Sequence, residues 1–372
     1  MAENPETTKD KYVEVMREDM RETISSYRKH QREIVLNKNR QALGEISNSL
    51  CFSKEFILAK AHLLKKKPLA IEDYQQLQNA LIQSEENINT FLKVENIVYA
   101  LVRDLSGKNP VIQLYAASCC CNIALGNSKV CTILVKSAAP YLIGILDTLN
   151  YPLMDICIWT IGNLVGGSEK AFETLYAQGC LRHLVSLMCN CDISILPSVI
   201  YASIHCIYAG TQYKQYDVID EIVPVAETLS ERFSECIRSN ASWLLALLSS
   251  EPACTIPLLK VVPSAVNYLY SSIADELSDV IRVTATVRLL ANTIPEASGQ
   301  AAKALLNNPN YTREELHFLM NKLLSHPYIH VRKEALWMTG NLYNHELSDV
   351  SQTVKDMMIH LPSMQLAVLS AT

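Results

Sequence analysis

The feature that most constrains this chain is a Trp and an Asn four residues apart, in a pair that recurs at a long interval. The full pair occurs twice, as Trp159 with Asn163 and as Trp337 with Asn341. Degraded copies keep the same frame, so that successive copies lie 41–49 residues apart; they are Ser118/Asn122, Ala202/Cys206, Trp243/Leu247 and Arg288/Asn292. Self-similarity near this period is typical of helical solenoids, in which one helix of each repeat lines a concave groove. Because residues i and i+4 share one helix face, the pairs are predicted to stack into a ladder along that groove.

The composition favours an all-α fold. Apolar residues make up 49% of the 372 residues, and only 11 residues are glycine. Leu, Ala, Ile and Ser recur at helical spacing, whereas the alternating runs that would predict strands are short. We therefore predict an all-α solenoid of the armadillo or HEAT type. In it, Pro140 and Pro263 each stand at a helix start, where a missing N–H costs nothing.

The chain is predicted to have three parts. Residues 1–10 are polar and are expected to be disordered. Residues 11–69 are expected to form a basic, highly charged helical arm, whose apolar stripe is too narrow to be buried alone. Residues 70–372 are expected to form the solenoid, with about six to seven repeats. The last 25 residues or so resemble the start of a further unit, and we expect this incomplete unit to act as a cap.

Charge is distributed unevenly between the arm and the solenoid. Residues 28–67 carry ten Lys or Arg against three acids, whereas residues 71–372 carry 19 basic against 28 acidic residues. A basic arm on an acidic body can bind nucleic acid, a membrane surface, a protein partner or the body itself. Between Arg28 and Leu50 no Phe, Tyr or Trp is interleaved with the basic residues, and the solenoid is acidic, so we do not expect nucleic acid as the partner.

Several classes of protein are not expected. The 12 cysteines include no C-x-x-C pair, and no histidine lies at zinc-ligand spacing from a cysteine pair, so no metal or cofactor is expected. Free thiols and the lack of a signal peptide predict a reducing compartment.

Apolar runs are interrupted before 18 residues, so no transmembrane helix is expected. The chain has no nucleotide-binding loop or nucleophile elbow, and His205 and Cys206 point apart on a helix, so we do not expect an enzyme.

The ladder is suited to binding an extended peptide. An indole on the concave helix can cradle the aliphatic stem of a Lys or Arg. The Asn one turn later offers both a donor and an acceptor, which suits it to bracket the N–H and C=O of a peptide. At three positions a structural role is as good an explanation as peptide binding. Trp243, whose partner is Leu247, is equally well explained as a core residue, and Asn122 and Asn292 are equally well explained as helix caps.

These residues carry a resemblance to importin-α, a family of adaptors for proteins with basic nuclear localisation signals, over about residues 70–345. The segment with Asn122 is similar to the family's second repeat, and the segment with Trp159 and Asn163 to its third. Trp243 matches the fifth repeat. The resemblance implies a right-handed armadillo-repeat superhelix.

The later repeats strengthen this resemblance. Arg288 falls in the sixth repeat, where the family also carries Arg in place of Trp, and "VRKEALWMTGNL" is similar to the seventh. The peptide-binding residues that the resemblance implies are Asn122, Trp159, Asn163, Trp243, Arg288, Asn292, Glu334, Trp337 and Asn341.

Three features depart from the importin-α pattern. The family has an acid four residues after the third-repeat Asn, where it pairs with a lysine of the signal, and Gly167 stands at that position here. The fourth-repeat pair is lost to Ala202 and Cys206, and the eighth-repeat pair is missing. A charge-assisted contact contributes about 1.5–3 kcal/mol, so we expect weaker lysine selection near Gly167. Diverged importin-α-like proteins, among them a family called transmembrane and coiled-coil domain proteins, combine a basic helix with an eroded ladder. The chain resembles these more closely than a general import receptor.

The segment "YRKHQREIVLNKNRQ" is similar to the importin-β-binding arm of the family, which also occupies the groove when cargo is absent. Its partner-binding residues would be Arg28, Lys29, Arg32, Lys38 and Arg40.

Two functions stay open. In the first, the chain is a monomeric nuclear import adaptor that binds a basic, signal-bearing cargo protein in its groove and an importin-β-like transport factor through its arm, without contact to a membrane. Such a protein is expected in the cytoplasm and the nucleus. In the second, it is a scaffold whose degenerate ladder binds one dedicated protein partner and no longer serves general import.

Overall fold

The computed structural model describes residues 23, 26, 38, 40–45, 51–212, 218–273 and 279–360. Within these ranges the regular structure is entirely helical, which confirms the predicted all-α fold. In chain order the α-helices are α1 (Lys54–Lys66), α2 (Ile71–Gln83), α3 (Glu85–Leu92), α4 (Ile97–Leu105), α5 (Pro110–Ile123), α6 (Ser128–Ile145), α7 (Tyr151–Gly167), α8 (Glu169–Ala177), α9 (Cys180–Asn190), α10 (Leu196–Gln212), α11 (Ile219–Arg232), α12 (Glu235–Leu248), α13 (Thr255–Leu258), α14 (Val262–Ile273), α15 (Val280–Thr293), α16 (Gln300–Leu306), α17 (Arg313–Leu324), α18 (Ile329–Tyr343) and α19 (Ser348–His360).

Seven of these helices stack side by side and carry the ladder positions. These ladder helices are α2, α5, α7, α10, α12, α15 and α18, and each packs on the next one along the chain. The remaining helices pack behind them, and buried apolar side chains form one continuous cluster from α1 to α19. Such a core is built by stacking, because each repeat contacts chiefly its neighbours and cannot bury its apolar face alone.

Side-chain caps fix where several ladder helices begin. The Asn109 carboxamide oxygen accepts the backbone N–H groups of Val111 and Ile112 at the start of α5. Asn150 caps α7 in the same way, and a proline follows each cap within the first two helical residues. Asn and Asp satisfy N–H groups that have no partner inside the helix, and proline has no N–H to satisfy there.

The first described helix belongs to the solenoid. Helix α1 packs against α3 and α4 and buries Ile57, Ala61 and Leu64. The arm predicted over residues 11–69 therefore includes a helix that packs into the first repeat. The predicted disordered residues 1–10 and the last part of the predicted cap, residues 361–372, lie outside the described residues.

Helix α6 differs from the prediction at one point. Pro140 lies inside this helix instead of at a helix start, whereas Pro263 is the second residue of α14, as predicted. The prediction for Pro140 is wrong because residues on both sides of it continue one apolar face. By length and composition, α6 is the one described helix that could cross a membrane. In the solenoid, residues such as Leu134, Val135 and Leu142 bury that face.

Two glycines at equivalent ladder positions meet different surroundings. Gly162 and Gly340 each precede the ladder Asn. A Cβ at Gly162 would lie 2.4 Å from Cε1 of Tyr201 on the next ladder helix, whereas a Cβ at Gly340 would have nothing within 4 Å.

We therefore expect opposite effects of alanine at these two positions. Gly162→Ala should destabilise the protein by about 1–3 kcal/mol, because the added methyl group overpacks the contact between α7 and α10. Gly340→Ala should stabilise it by up to about 1 kcal/mol, through helix propensity alone. Urea denaturation followed by circular dichroism measures both. Equal midpoints for the two variants would contradict the close approach of α7 and α10.

Candidate peptide-binding groove

All nine residues predicted to line the groove lie on ladder helices. Helix α5 carries Asn122, α7 carries Trp159 and Asn163, α12 carries Trp243, α15 carries Arg288 and Asn292, and α18 carries Glu334, Trp337 and Asn341. The structure gathers them into two groups. The first ladder group lies on α5 and α7, and the second ladder group lies on α12, α15 and α18.

A short segment of the same chain lies along the first ladder group. The carboxamide oxygen of Asn163 accepts the Gln41 N–H at 2.9 Å, and its amide nitrogen donates to the Gln41 carbonyl at 2.7 Å. Asn122 brackets Leu43 in the same way, at 2.9 Å and 2.6 Å. Each Asn therefore forms both hydrogen bonds of one backbone residue, which is the use expected of a carboxamide with one donor group and one acceptor.

A third backbone contact, with the N–H alone, involves a residue that we did not single out from the sequence. Asn79 on α2 accepts the Glu45 N–H at 3.1 Å. Asn79 lies 43 residues before Asn122 and so fits the ladder interval; extending the period backwards would have found it. Between the brackets, Gly44 has a φ of 129°, and a Cβ there would lie 2.6 Å from the Asn79 oxygen. Glycine is required at this position for both reasons.

The spacing of the brackets follows from extended backbone geometry. In an extended chain, alternate residues present their N–H and C=O groups to the same side, and two residues advance about 6.5 Å. Gln41, Leu43 and Glu45 meet α7, α5 and α2 in that order. The segment therefore runs antiparallel to the repeats, with two residues for each repeat.

Arg40 enters a pocket at the end of α5. Its Nη2 donates to the Ala124 carbonyl, to the Gly126 carbonyl at 3.2 Å and to the Cys131 sulfur at 3.4 Å. These carbonyls lie at the negative end of the helix dipole of α5 and are not used by a further helical turn. A Cβ at Gly167 would lie 2.6 Å from Arg40 Nη2, so the guanidinium occupies the space where a side chain of residue 167 would begin.

Tyr201, on α10, closes this part of the groove. Its hydroxyl donates to the Asn163 carboxamide oxygen at 2.8 Å, and its ring centroid lies 4.5 Å from that of Trp159. Burial raises the pKa of Tyr201 above its usual value, so the hydroxyl stays a neutral donor. The lost pair of the fourth repeat contributes little here, because Ala202 and Cys206 are buried in the core.

The side chains of the second ladder group bond to one another and to neighbouring residues of the ladder helices. Arg288 Nη2 pairs with Glu334 Oε1 at 2.5 Å, and the Arg288 guanidinium carbon lies 4.8 Å from the centroid of the Trp243 ring. The Asn341 amide donates to the Ala291 carbonyl at 2.7 Å, and the Asn292 amide donates to the Ser249 hydroxyl at 3.1 Å. Trp337 is half-buried beside this group.

Two of the five predicted arm residues, Lys38 and Arg40, lie within the described part of the chain. Arg28, Lys29 and Arg32 lie outside the described residues, and Lys38 is exposed. Of the two described members, Arg40 is the one whose side chain forms hydrogen bonds with the solenoid. The residues that sequence reasoning missed are Asn79, Tyr201 and Cys131; only Asn79 left a signal in the sequence.

Known proteins are similar to this chain in sequence and in fold. Importin subunit alpha-9 of Arabidopsis thaliana is 26% identical over 250 residues, which are 65% of this chain and 47% of that protein. Importin subunit alpha-1b of Oryza sativa subsp. japonica is 24% identical over 259 residues, 68% of this chain and 45% of that protein. A designed armadillo repeat protein in complex with the peptide (KR)4 superimposes with a TM-score of 0.51 at 19% identity, over 65% of this chain and 97% of that one.

The chain is thus similar to importin-α subunits in sequence, and it has the armadillo-repeat fold. It spans less than half the length of the two importin subunits. An engineered protein covers more of it, with a TM-score of 0.56 at 16% identity over 92% of this chain and 96% of that one. No family model matches the sequence.

His205 gives the stability of the folded chain a pH dependence that can be measured. The ring is 2% exposed and its Nε2 has no hydrogen-bond partner among the described residues. Burial, with a contribution from the Arg40 charge, lowers the pKa of His205 to about 4. The unfolded chain, with a His pKa near 6.5, then binds a proton that the folded chain does not bind, and stability falls as the pH drops from 6.5 towards 4.

We expect His205→Gln to remove this part of the acid sensitivity. From pH 6.5 to pH 4 the wild type should lose up to about 3 kcal/mol of stability relative to the variant. Urea midpoints measured across this range for both proteins give the difference. His330→Gln, at an exposed position, is the matched control and should follow the wild type. A variant that loses stability in parallel with the wild type would contradict a buried neutral His205.

Proposed function

We propose that this protein is a binding adaptor, without enzymatic activity, whose concave face holds extended peptide segments of partner proteins. One observation supports this proposal above the others. Asn163 and Asn122 each bracket the backbone N–H and C=O of one residue in an extended segment, at 2.6–2.9 Å. These bonds use only backbone atoms of the segment, so they fix its direction and register for any sequence that can extend.

The partner is a basic segment of a cargo protein, and the process is nuclear protein import. Three features support this part of the proposal: the similarity to importin subunits, the acidic excess of residues 71–372, and the aromatic and acidic side chains of the second ladder group. The acidic surface attracts a basic segment before contact. A protein with this role is expected in both cytoplasm and nucleus, and as a monomer.

The segment at residues 40–45 competes with a partner for the first ladder group. Bonds within one chain form at high effective concentration, so a separate peptide must displace a tethered rival. Arg28, Lys29 and Arg32 precede this segment and would bind an importin-β-like transport factor. Such binding would draw the segment away and free the groove.

A second function is supported by the eroded positions. Gly167 provides no acid for a lysine, and the fourth-repeat pair is replaced by the buried Ala202 and Cys206. A groove of this kind also suits a scaffold that binds one dedicated partner and takes no part in general import.

Binding of a basic peptide to the full chain tests the first function. We expect a fluorescent (KR)4 peptide to bind with a micromolar dissociation constant in an anisotropy titration, and to bind more weakly as salt is added. Arg40→Ala should increase the affinity about tenfold, because the rival segment is released. Adding Asn163→Ala to that variant should reverse the gain, because one bracket is lost.

The control for this experiment is Asn190→Ala, an Asn on the exposed side of α9. Absence of peptide binding to every variant, with folding verified by circular dichroism, would overturn the import role and leave the dedicated scaffold.

Arm binding is tested separately. Replacing Arg28, Lys29 and Arg32 together by Ala should weaken binding to an importin-β-like factor at least tenfold, because up to three charge-assisted contacts are lost. Binding is measured by surface plasmon resonance with the full chain immobilised. The (KR)4 affinity of the triple variant should stay within about twofold of the wild type, and an unchanged factor affinity would contradict the proposed role of the arm.

A further inference from the structure

We propose that the Arg40 pocket, formed by Ala124, Gly126, Cys131 and Gly167, is a subsite selective for arginine over lysine. The proposal rests on the proposed function, because it names the kind of segment that the groove takes. The ligand class is an extended segment that leads with an arginine and has a glycine four residues later, as in Arg40 to Gly44 of this chain.

Space is the first reason for this selectivity. The planar guanidinium of Arg40 and the sulfur of Cys131 fill the volume next to Gly167, where an added Cβ would lie 2.6 Å from Arg40 Nη2 and 2.6 Å from Cys131 Sγ. Any residue other than glycine at position 167 would need this space for its own side chain. Gly167 therefore shapes the pocket for a flat group.

Reach is the second reason. Arg40 Nη2 contacts three acceptors at the far wall of the pocket, on Ala124, Gly126 and Cys131. A lysine side chain is one bond shorter, so its nitrogen would stop about 1 Å or more before that wall. It would lose some of these contacts or pull the backbone brackets at Gln41 out of register.

Charge is the third reason. The acceptors on the pocket wall are neutral, and no carboxylate lies within salt-bridge distance of Arg40 in the described part of the chain. A lysine ammonium is compact and strongly hydrated, and leaving water without a carboxylate partner costs it more than it costs a delocalised guanidinium. The weaker hydration of arginine also makes it tolerable that Arg40 Nε has no hydrogen-bond partner there.

Gly44 completes the requirement at the other end of the segment. Its positive φ and its close approach to Asn79 exclude a side chain. The brackets at Gln41 and Leu43 use backbone atoms only. Arg40 and Gly44 are thus two positions of the segment at which the groove selects the residue type.

The proposal is tested within the intact chain by hydrogen–deuterium exchange of residues 40–45. Three amides of this segment are bonded to Asn163, Asn122 and Asn79, so their exchange rate reports how often the segment leaves the groove. The variants are Arg40→Lys, Gly167→Ala and the double variant Arg40→Lys with Gly167→Asp. Exchange in α17 monitors global folding, and Arg232→Lys, at an exposed position, is the control for the chemical change.

We expect Arg40→Lys to speed exchange of residues 40–45 at least tenfold, because contacts of a charged donor are lost. Gly167→Ala should have a similar effect by closing the space for the guanidinium. The double variant should regain protection to within about threefold of the wild type, because the carboxylate of Asp pairs with the lysine. Arg232→Lys should change nothing in this segment.

Unchanged protection in Arg40→Lys would overturn the proposal, since charge alone would then be sufficient. Unchanged protection in Gly167→Ala would overturn it as well, since the pocket would not depend on the missing side chain. Both results are independent of whether a separate peptide binds. The proposed function can therefore fail in the anisotropy titration while arginine selectivity within the chain stands, and the reverse also holds.

Discussion

The structure depends on the packing of each ladder helix against the next. No repeat can bury its own apolar face, so the chain reaches a stable core only by stacking, and the stack fixes the position of every groove side chain. Because α2, α5 and α7 are packed in succession, Asn79, Asn122 and Asn163 fall in a row. The row matches an extended backbone at two residues per repeat. The same geometry that stabilises the core thus positions the asparagines that bond residues 41–45.

The ladder asparagines serve the fold and the groove at once. The Asn163 amide donates to the Cys121 carbonyl of the preceding ladder helix as well as to Gln41, and the Asn122 amide donates to the Gln78 carbonyl as well as to Leu43. These cross-helix bonds explain why the carboxamides keep one orientation while buried. A carboxamide that is already oriented loses little conformational entropy on binding, which favours affinity.

The first and second ladder groups hold a half-buried cation by different contacts. At α15 and α18, Arg288 pairs with Glu334, and its guanidinium lies over Trp243. At α5 and α7, Arg40 relies on the carbonyls at a helix end and on the space left by Gly167. The missing acid of the third repeat therefore gives a pocket of different chemistry, and the groove there is still able to hold a cation.

The sequence by itself determined the all-α fold and the repeat frame on which the ladder residues were predicted, because a 41–49-residue period is present directly in the order of residues. Asn79 was within reach of the same reasoning. The binding of residues 40–45 in the groove was not within reach of that reasoning. Residues 40–45 meet partners 34–122 positions away, and the acceptors of Arg40 include backbone carbonyls, which every residue has and no sequence pattern marks. Tyr201 could not be predicted from the sequence either, since it stands one residue before the eroded ladder position at Ala202 and so falls outside the repeat frame. Only the stacking of the helices decided which carbonyls and which tyrosine would face the groove.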